Sequence, residues 1–362
     1  MTSIEYRENR IFYYDLARAF AILCIISCHV FAEYVTKTAI FSTKFWYYAL
    51  FLNSLRDIGV PLFVILSGSL LLDKYEPLKT FAKKRITRVL IPYLFWGTIF
   101  ILAFAFVFNN NLNDLIFNVF SLTPEGIANF FWFVPMIFIT YVVIFIINAL
   151  NHHNKNTMKI TLIISLISLV LMNFNVLHYQ KPLIDLYYSI FAVFGYFLVN
   201  VDISKNRFID ASPEKLFIIF LVLSLLFYIL EVYLNSKTCI SLNKFKARSQ
   251  FDFLNVLTTI SIFLLFRYFS ECGGKINEFY TRIKGNTLGK VIFSISICSY
   301  GIYLTHILIR DLLLKFVLTP IKPFMGISIF STLTLILTAI CSWLLILALS
   351  KVPILDKLSG RG

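Results

Sequence analysis

FYYDLARAFAILCIISCHVFAEYV, residues 12–35, is apolar over more than the roughly 20 residues a helix needs to cross a bilayer, and it contains neither proline nor glycine. Within it Arg18 and His29 stand eleven positions apart. That is close to three helical turns, so the two share one face and are separated by about 16 Å along the axis. Nine further stretches have the same character, at 47–72, 89–108, 127–148, 158–177, 183–200, 214–234, 252–270, 290–314 and 324–350. The expectation is an all-α polytopic membrane protein of about ten transmembrane helices, one domain over residues 1–362.

Composition points the same way. The 362 residues are 59% hydrophobic and only 14% charged, against about 25% charged in soluble domains, too little to cover a water-facing surface. Leu112, Leu115, Ile116, Val119 and Phe120, ahead of Pro124 and Gly126, have the spacing of a short interfacial helix. Six cysteines without a CxxC pair suggest neither a disulfide framework nor a metal site. Loops on the side of the amino terminus carry 20 lysines and arginines against 9 on the other, which makes both termini cytoplasmic. The net charge of +14 is scattered over membrane boundaries, where it meets anionic lipid; that distribution argues against nucleic acid as a partner.

Ionisable groups inside spans are costly, which makes Asp15, Arg18 and His29 the first candidates for chemistry. An imidazole suits the removal of a hydroxyl proton near neutral pH, provided its tautomer is fixed. Glu33, one turn further on, could do that, as could Asp57 from the second span; a packing histidine is the alternative. In KKRITRVLIPY, residues 83–93, Arg85 and Arg88 lie one turn apart and could fork onto phosphate oxygens, whereas Lys83 and Lys84 are accounted for by anchoring. Tyr303 and His306 fall three apart in an apolar helix and can face one cavity. Pro61 and the run Ser67, Gly68, Ser69 permit a kink and a close helix approach. The loop with Lys244, Lys246 and Arg248 departs from the charge bias of its side and is a candidate for holding an anionic acceptor.

Four separated segments form a pattern. They are Arg18 and His29 within a D-x-x-R opening; VPLFVILSGSLLL at 60–72; the R-x-x-R of Arg85 and Arg88 followed by Pro92; and SYGIYLTH at 299–306. WFVPMIFITYVV at 132–143 is a looser fifth. Together they resemble acyltransferase family 3, the bacterial integral membrane O-acyltransferases. Val64, Ile65 and Pro135 depart from the usual residues without touching the candidate chemistry.

The resemblance implies ten spans in the bacterial cytoplasmic membrane, with acyl-CoA, acetyl-CoA by default, as a cytoplasmic co-substrate and no permanently bound cofactor or metal. It implies a hydroxyl of a cell-surface or lipid-linked glycan as acceptor, His29 as the catalytic residue, and Arg18, Arg85 and Arg88 as donor-binding residues. No fused SGNH domain is expected. Ser67, Tyr303 and His306 are candidate oxyanion donors, with Asp15 in support. A glycan exporter or flippase is the rival class, since it too would be a polytopic chain with intramembrane charge.

Overall fold

The computed structural model describes residues 11–108, 110–113, 115–116, 131–177, 183–203 and 211–361. Among these every regular element is helical. The first spans are α1, Phe12–Thr36; α2, Lys44–Asn53, and α3, Arg56–Leu71, joined through Ser54 and Leu55; and α4, Leu78–Arg85, which passes through a π-helical turn at Ile86–Leu90 into α5, Ile91–Phe108. Then come α6, Phe133–His153; α7, Thr157–Asn173; α8, Leu183–Tyr187; α9, Ser189–Asn200; α10, Pro213–Leu242; and α11, Phe253–Glu271. The chain closes with α12, Gly274–Gly285; α13, Thr287–Leu313; α14, Ile327–Leu349; and α15, Pro353–Leu358.

Among the described residues eight helical segments are long and apolar enough to cross a bilayer, so the protein is a multi-pass membrane protein. The expected spans at 158–177 and 183–200 are not among these eight. The 17 residues of α7 rise about 26 Å, and α8 and α9, joined through Tyr188, cover the 18 residues of 183–200 and rise about 27 Å, both a little under the apolar thickness of roughly 30 Å. Left-handed backbone at Asn175 (φ 57°) explains the first, because the amide of Val176 turns back to the carbonyl of Leu171 and ends the helix. The interfacial helix expected at 112–120 lies largely outside the described residues.

The mostly buried α1 runs through the centre of the bundle against α2, α3, α11, α13 and α14. The flanks of α10 and α14 present apolar side chains such as Ile229 and Ile329 outward, as lipid contact requires. The expected close approach in the second span falls on Gly68. A Cβ there would overlap the backbone of Ala192, and one on Gly195 would overlap that of Ile65, so α3 and α9 cross with almost no side chain between them.

Candidate active site

Two hydrogen bonds set the register of the site. Ser296 donates its hydroxyl to Asp15 at 2.6 Å, and Arg310 donates to the carbonyl of His29 at 2.8 Å. Both pairs are 281 residues apart, so α1 and α13 run parallel without slipping over about four turns. Asp15, 2% exposed, also faces Arg18 at 3.9 Å. Arg18 is thereby held at one end of the shared face and His29 at the other.

Around Arg18 lies a cavity of about 770 Å³, into which Lys84, Arg85 and Arg88 also open. The π turn carries Arg88 round to the side from which Arg85 projects; such wide turns recur at functional sites. The Arg85 guanidinium sits 4.2 Å from the Phe81 ring and 5.6 Å from that of Tyr141, contacts that fix its plane. One carboxylate, Glu76, accepts a hydrogen bond from Lys84 at 2.6 Å and lies 3.9 Å from Arg85. The bond from Lys84, with the neighbouring positive charges, holds the Glu76 carboxyl below the usual carboxylate range. Four cations against two carboxylates, Glu76 and the Asp15 behind Arg18, leave an excess of positive charge suited to an anion that guanidinium groups can grip in pairs.

A second cavity, about 890 Å³, follows on along α1 and takes in Cys28, His29 and Ala32. Its roof is the strand of chain from Lys246 to Asp252. Asn243, in left-handed conformation (φ 50°), ends α10 and turns the chain into this roof. There the roof is strapped down. Arg56 donates to the carbonyl of Arg248 at 3.0 Å, Tyr188 to the Gln250 side chain at 2.8 Å, and Asn173 to the carbonyl of Phe251 at 2.9 Å. The roof and floor cations are balanced, Arg248 by Asp252 at 2.9 Å and Arg56 by Asp57 at 3.1 Å. Rings of Trp132, Tyr188 and Phe251 complete the walls.

Ile25, Phe133 and Tyr303 line both cavities and form a septum between them. The division is consistent on every helix. On α3 it falls between Val60 and Phe63, and on α6 at its first residue, where Phe133 meets Tyr303 edge to face at 5.2 Å.

The structure thus brings Arg18, Arg85 and Arg88 into one cavity and His29, Lys246 and Arg248 into the other, with Tyr303 between. His306 lies behind His29, ring centroids 5.1 Å apart. Other candidates are placed elsewhere. Ser67 donates to the carbonyl of Phe63 and lines the arginine cavity, across the septum from His29. Glu33 is 65% exposed and ion-paired with Lys37, while Asp57 is engaged by Arg56, so both carboxylates considered for orienting His29 are committed to cations. Lys244 is exposed and does not line the cavity that Lys246 and Arg248 line.

Sequence reading passed over Arg56, Glu76, Phe133, Glu231 and Arg310. Arg310 carried a signal, falling two helical turns after Tyr303 and one after His306. Glu231 is fully buried in α10 with neither carboxyl oxygen hydrogen-bonded; it had the plain signal of an acid inside a span.

No curated protein and no solved structure matches the chain. The family model of acyltransferase family 3, described as an acyltransferase domain, matches residues 11–347, nearly the whole chain and all four quoted motifs. A helical bundle of membrane-crossing length, carrying those motifs on the walls of two adjoining cavities, belongs to acyltransferase family 3.

Proposed function

We propose that this membrane acyltransferase moves an acyl group, acetyl by default, from cytoplasmic acyl-CoA to a hydroxyl of a cell-surface or lipid-linked glycan. Its place in this reading is the bacterial cytoplasmic membrane, both termini inside. One observation carries the reading: a cation-lined cavity and a histidine-lined cavity meet at a septum of three side chains.

Arg18, Arg85 and Arg88, helped by Lys84, grip the donor's phosphates. The pantetheine arm then extends along the α1 face toward Ile25. In the second cavity, aromatic rings beside Arg56, Lys246 and Arg248 offer the mixture of apolar faces and hydrogen-bonding groups that a sugar requires. When the septum parts, the acceptor hydroxyl gives its proton to His29 as its oxygen bonds to the thioester carbonyl carbon. The carbon–sulfur bond breaks, and the proton passes from His29 to the departing thiolate. Ester and free thiol are formed with no net change in protons. Tyr303, which borders both cavities, is the best placed candidate to stabilise the oxyanion.

The test is thiol release by purified protein in detergent, given acetyl-CoA and an oligosaccharide, with mass spectrometry of the sugar. Acylated sugar that disappears in His29→Ala is the expected result. Vesicles that export glycan, from a protein that releases no thiol with any acyl-CoA, would establish the rival exporter instead.

A further inference from the structure

Cations on separate helices can grip the phosphates of one ligand together only if their spacing is fixed. Arg85 is held by the Phe81 and Tyr141 rings and by Glu76. Arg88 is the exposed member of the pair. It leaves the chain from within the π turn at Ile86–Leu90, so its direction follows the backbone there. In that turn the amide of Ile91 reaches back five residues to the carbonyl of Ile86, a pattern much rarer than the α-helical bond to the fourth residue. A return to regular α-helix would redirect Arg88, so the turn needs a tie from outside.

α13 supplies one. The phenol of Tyr300 donates to the carbonyl of Val89, the residue next to Arg88, at 2.8 Å. Val89 is buried, so the bond forms away from competing water. The ring is boxed in. Tyr303 stacks on it with centroids 6.2 Å apart and planes at 16°, and Gly360 (φ 78°) lies so near that a Cβ there would come within 3.2 Å of the ring's Cδ1. One turn before Tyr300 on the same face of α13 is Ser296, which donates to Asp15, and Asp15 faces Arg18. Ser296, Tyr300, Arg18 and Arg88 all line the arginine cavity. A single turn of α13 thus reaches both α1, which bears Arg18, and the π turn, which bears Arg88.

We propose that Tyr300 is a positioning residue for donor binding: through the Val89 carbonyl its hydroxyl holds the π turn in the form that aims Arg88 into the cavity, at a set distance from Arg18. A phenol has one proton to donate, and this one is committed to Val89, so the effect on the donor passes through Arg88.

This inference rests on the reading of the arginine cavity as the acyl-CoA site, and the experiment separates the two. Tyr300→Phe removes one oxygen and keeps the ring with its packing. Full-length protein in detergent is titrated with coenzyme A in a calorimeter, without acceptor, and assayed for kcat and both KM values. The dissociation constant for coenzyme A and the KM for acyl-CoA should both rise about 3- to 10-fold, as the loss of one neutral hydrogen bond predicts, while kcat and the acceptor KM stay at wild-type values. The rise should vanish in an Arg88→Ala background and persist in an Arg85→Ala background, because only the former removes the group that Tyr300 aims; a residue that merely packs would show no such dependence. Unaltered donor binding in Tyr300→Phe overturns the proposal. So does an equal rise with Arg88 absent, which would mean that the phenol touches the donor itself, and so does a fall in kcat at unchanged KM. Wild-type protein that binds no coenzyme A contradicts the donor reading and removes the role of Tyr300 with it, whereas wild-type binding matched by the variant sinks this inference alone.

Discussion

Arg18 and His29 occupy one face of one helix, yet each opens into a different cavity, with Ile25 between them lining both. In the proposed reaction, binding of the charged carrier and activation of the acceptor therefore fall to separate compartments.

Loss of a single guanidinium from the first compartment should weaken donor binding alone. Arg85→Ala and Arg88→Ala each remove charge-assisted hydrogen bonds of about 1.5–3 kcal/mol, which raises the KM for acyl-CoA roughly 10- to 100-fold. Initial rates at saturating acceptor should show kcat largely preserved. A fall in kcat with KM unchanged would place these arginines elsewhere in the reaction.

Thinning the septum should let water reach the thioester. Phe133→Ala removes the ring that meets Tyr303 edge to face, and the expected outcome is thiol release without acceptor, raised several-fold over wild type. The measurement is acyl-CoA hydrolysis by purified protein; an unchanged background would mean that other side chains keep the compartments apart.

The crossing of α3 and α9 should be intolerant of a methyl group. Gly68→Ala places a Cβ on the backbone of Ala192, and overpacking of this kind costs about 1–3 kcal/mol or more. Thermal denaturation in detergent should show a clear fall, whereas Gly285→Ala, with open space around its Cβ, should show none.

Glu76 should impart a pH dependence to stability. Its folded-state pKa is depressed by Lys84 and the adjoining cations, so its contribution is complete above the unfolded carboxylate range and is lost as pH falls through the depressed value. The stability difference between wild type and Glu76→Gln should therefore shrink on acidification below that range. A difference that grows there instead would contradict the pairing.

Glu231 should prove dispensable for stability. With both oxygens buried and unpartnered, replacement by leucine removes a polar burial cost of about 1–3 kcal/mol. Glu231→Leu should melt at or above the wild-type temperature, and a marked loss would reveal a role for the acid in packing.

Much of this was readable in the chain because helices impose their period on sequence. The Arg18 to His29 stripe, the Arg85 and Arg88 pair and the Tyr303 and His306 pair all follow from spacing within one helix. Pairings between helices do not. Asp57 was open to His29 or to any cation until folding gave it Arg56, and the septum joins residues 25, 133 and 303, which no local pattern relates. The end of the fifth expected span was not readable for a different reason. Hydropathy continues past Asn173, but left-handed backbone at Asn175 stops the helix there, a decision taken by backbone geometry.

Ile25, Phe133 and Tyr303 also determine where an electric field would act. Two polar compartments on either side of so thin a layer concentrate the voltage of an energised membrane onto it, at about 2.3 kcal/mol per elementary charge for every 100 mV. A carrier bearing phosphates would exchange that energy with the field in crossing the layer, whereas an acyl group is neutral and would not. If only the acyl group passes the wall, transfer proceeds at the same energetic cost whether the cell is polarised or not.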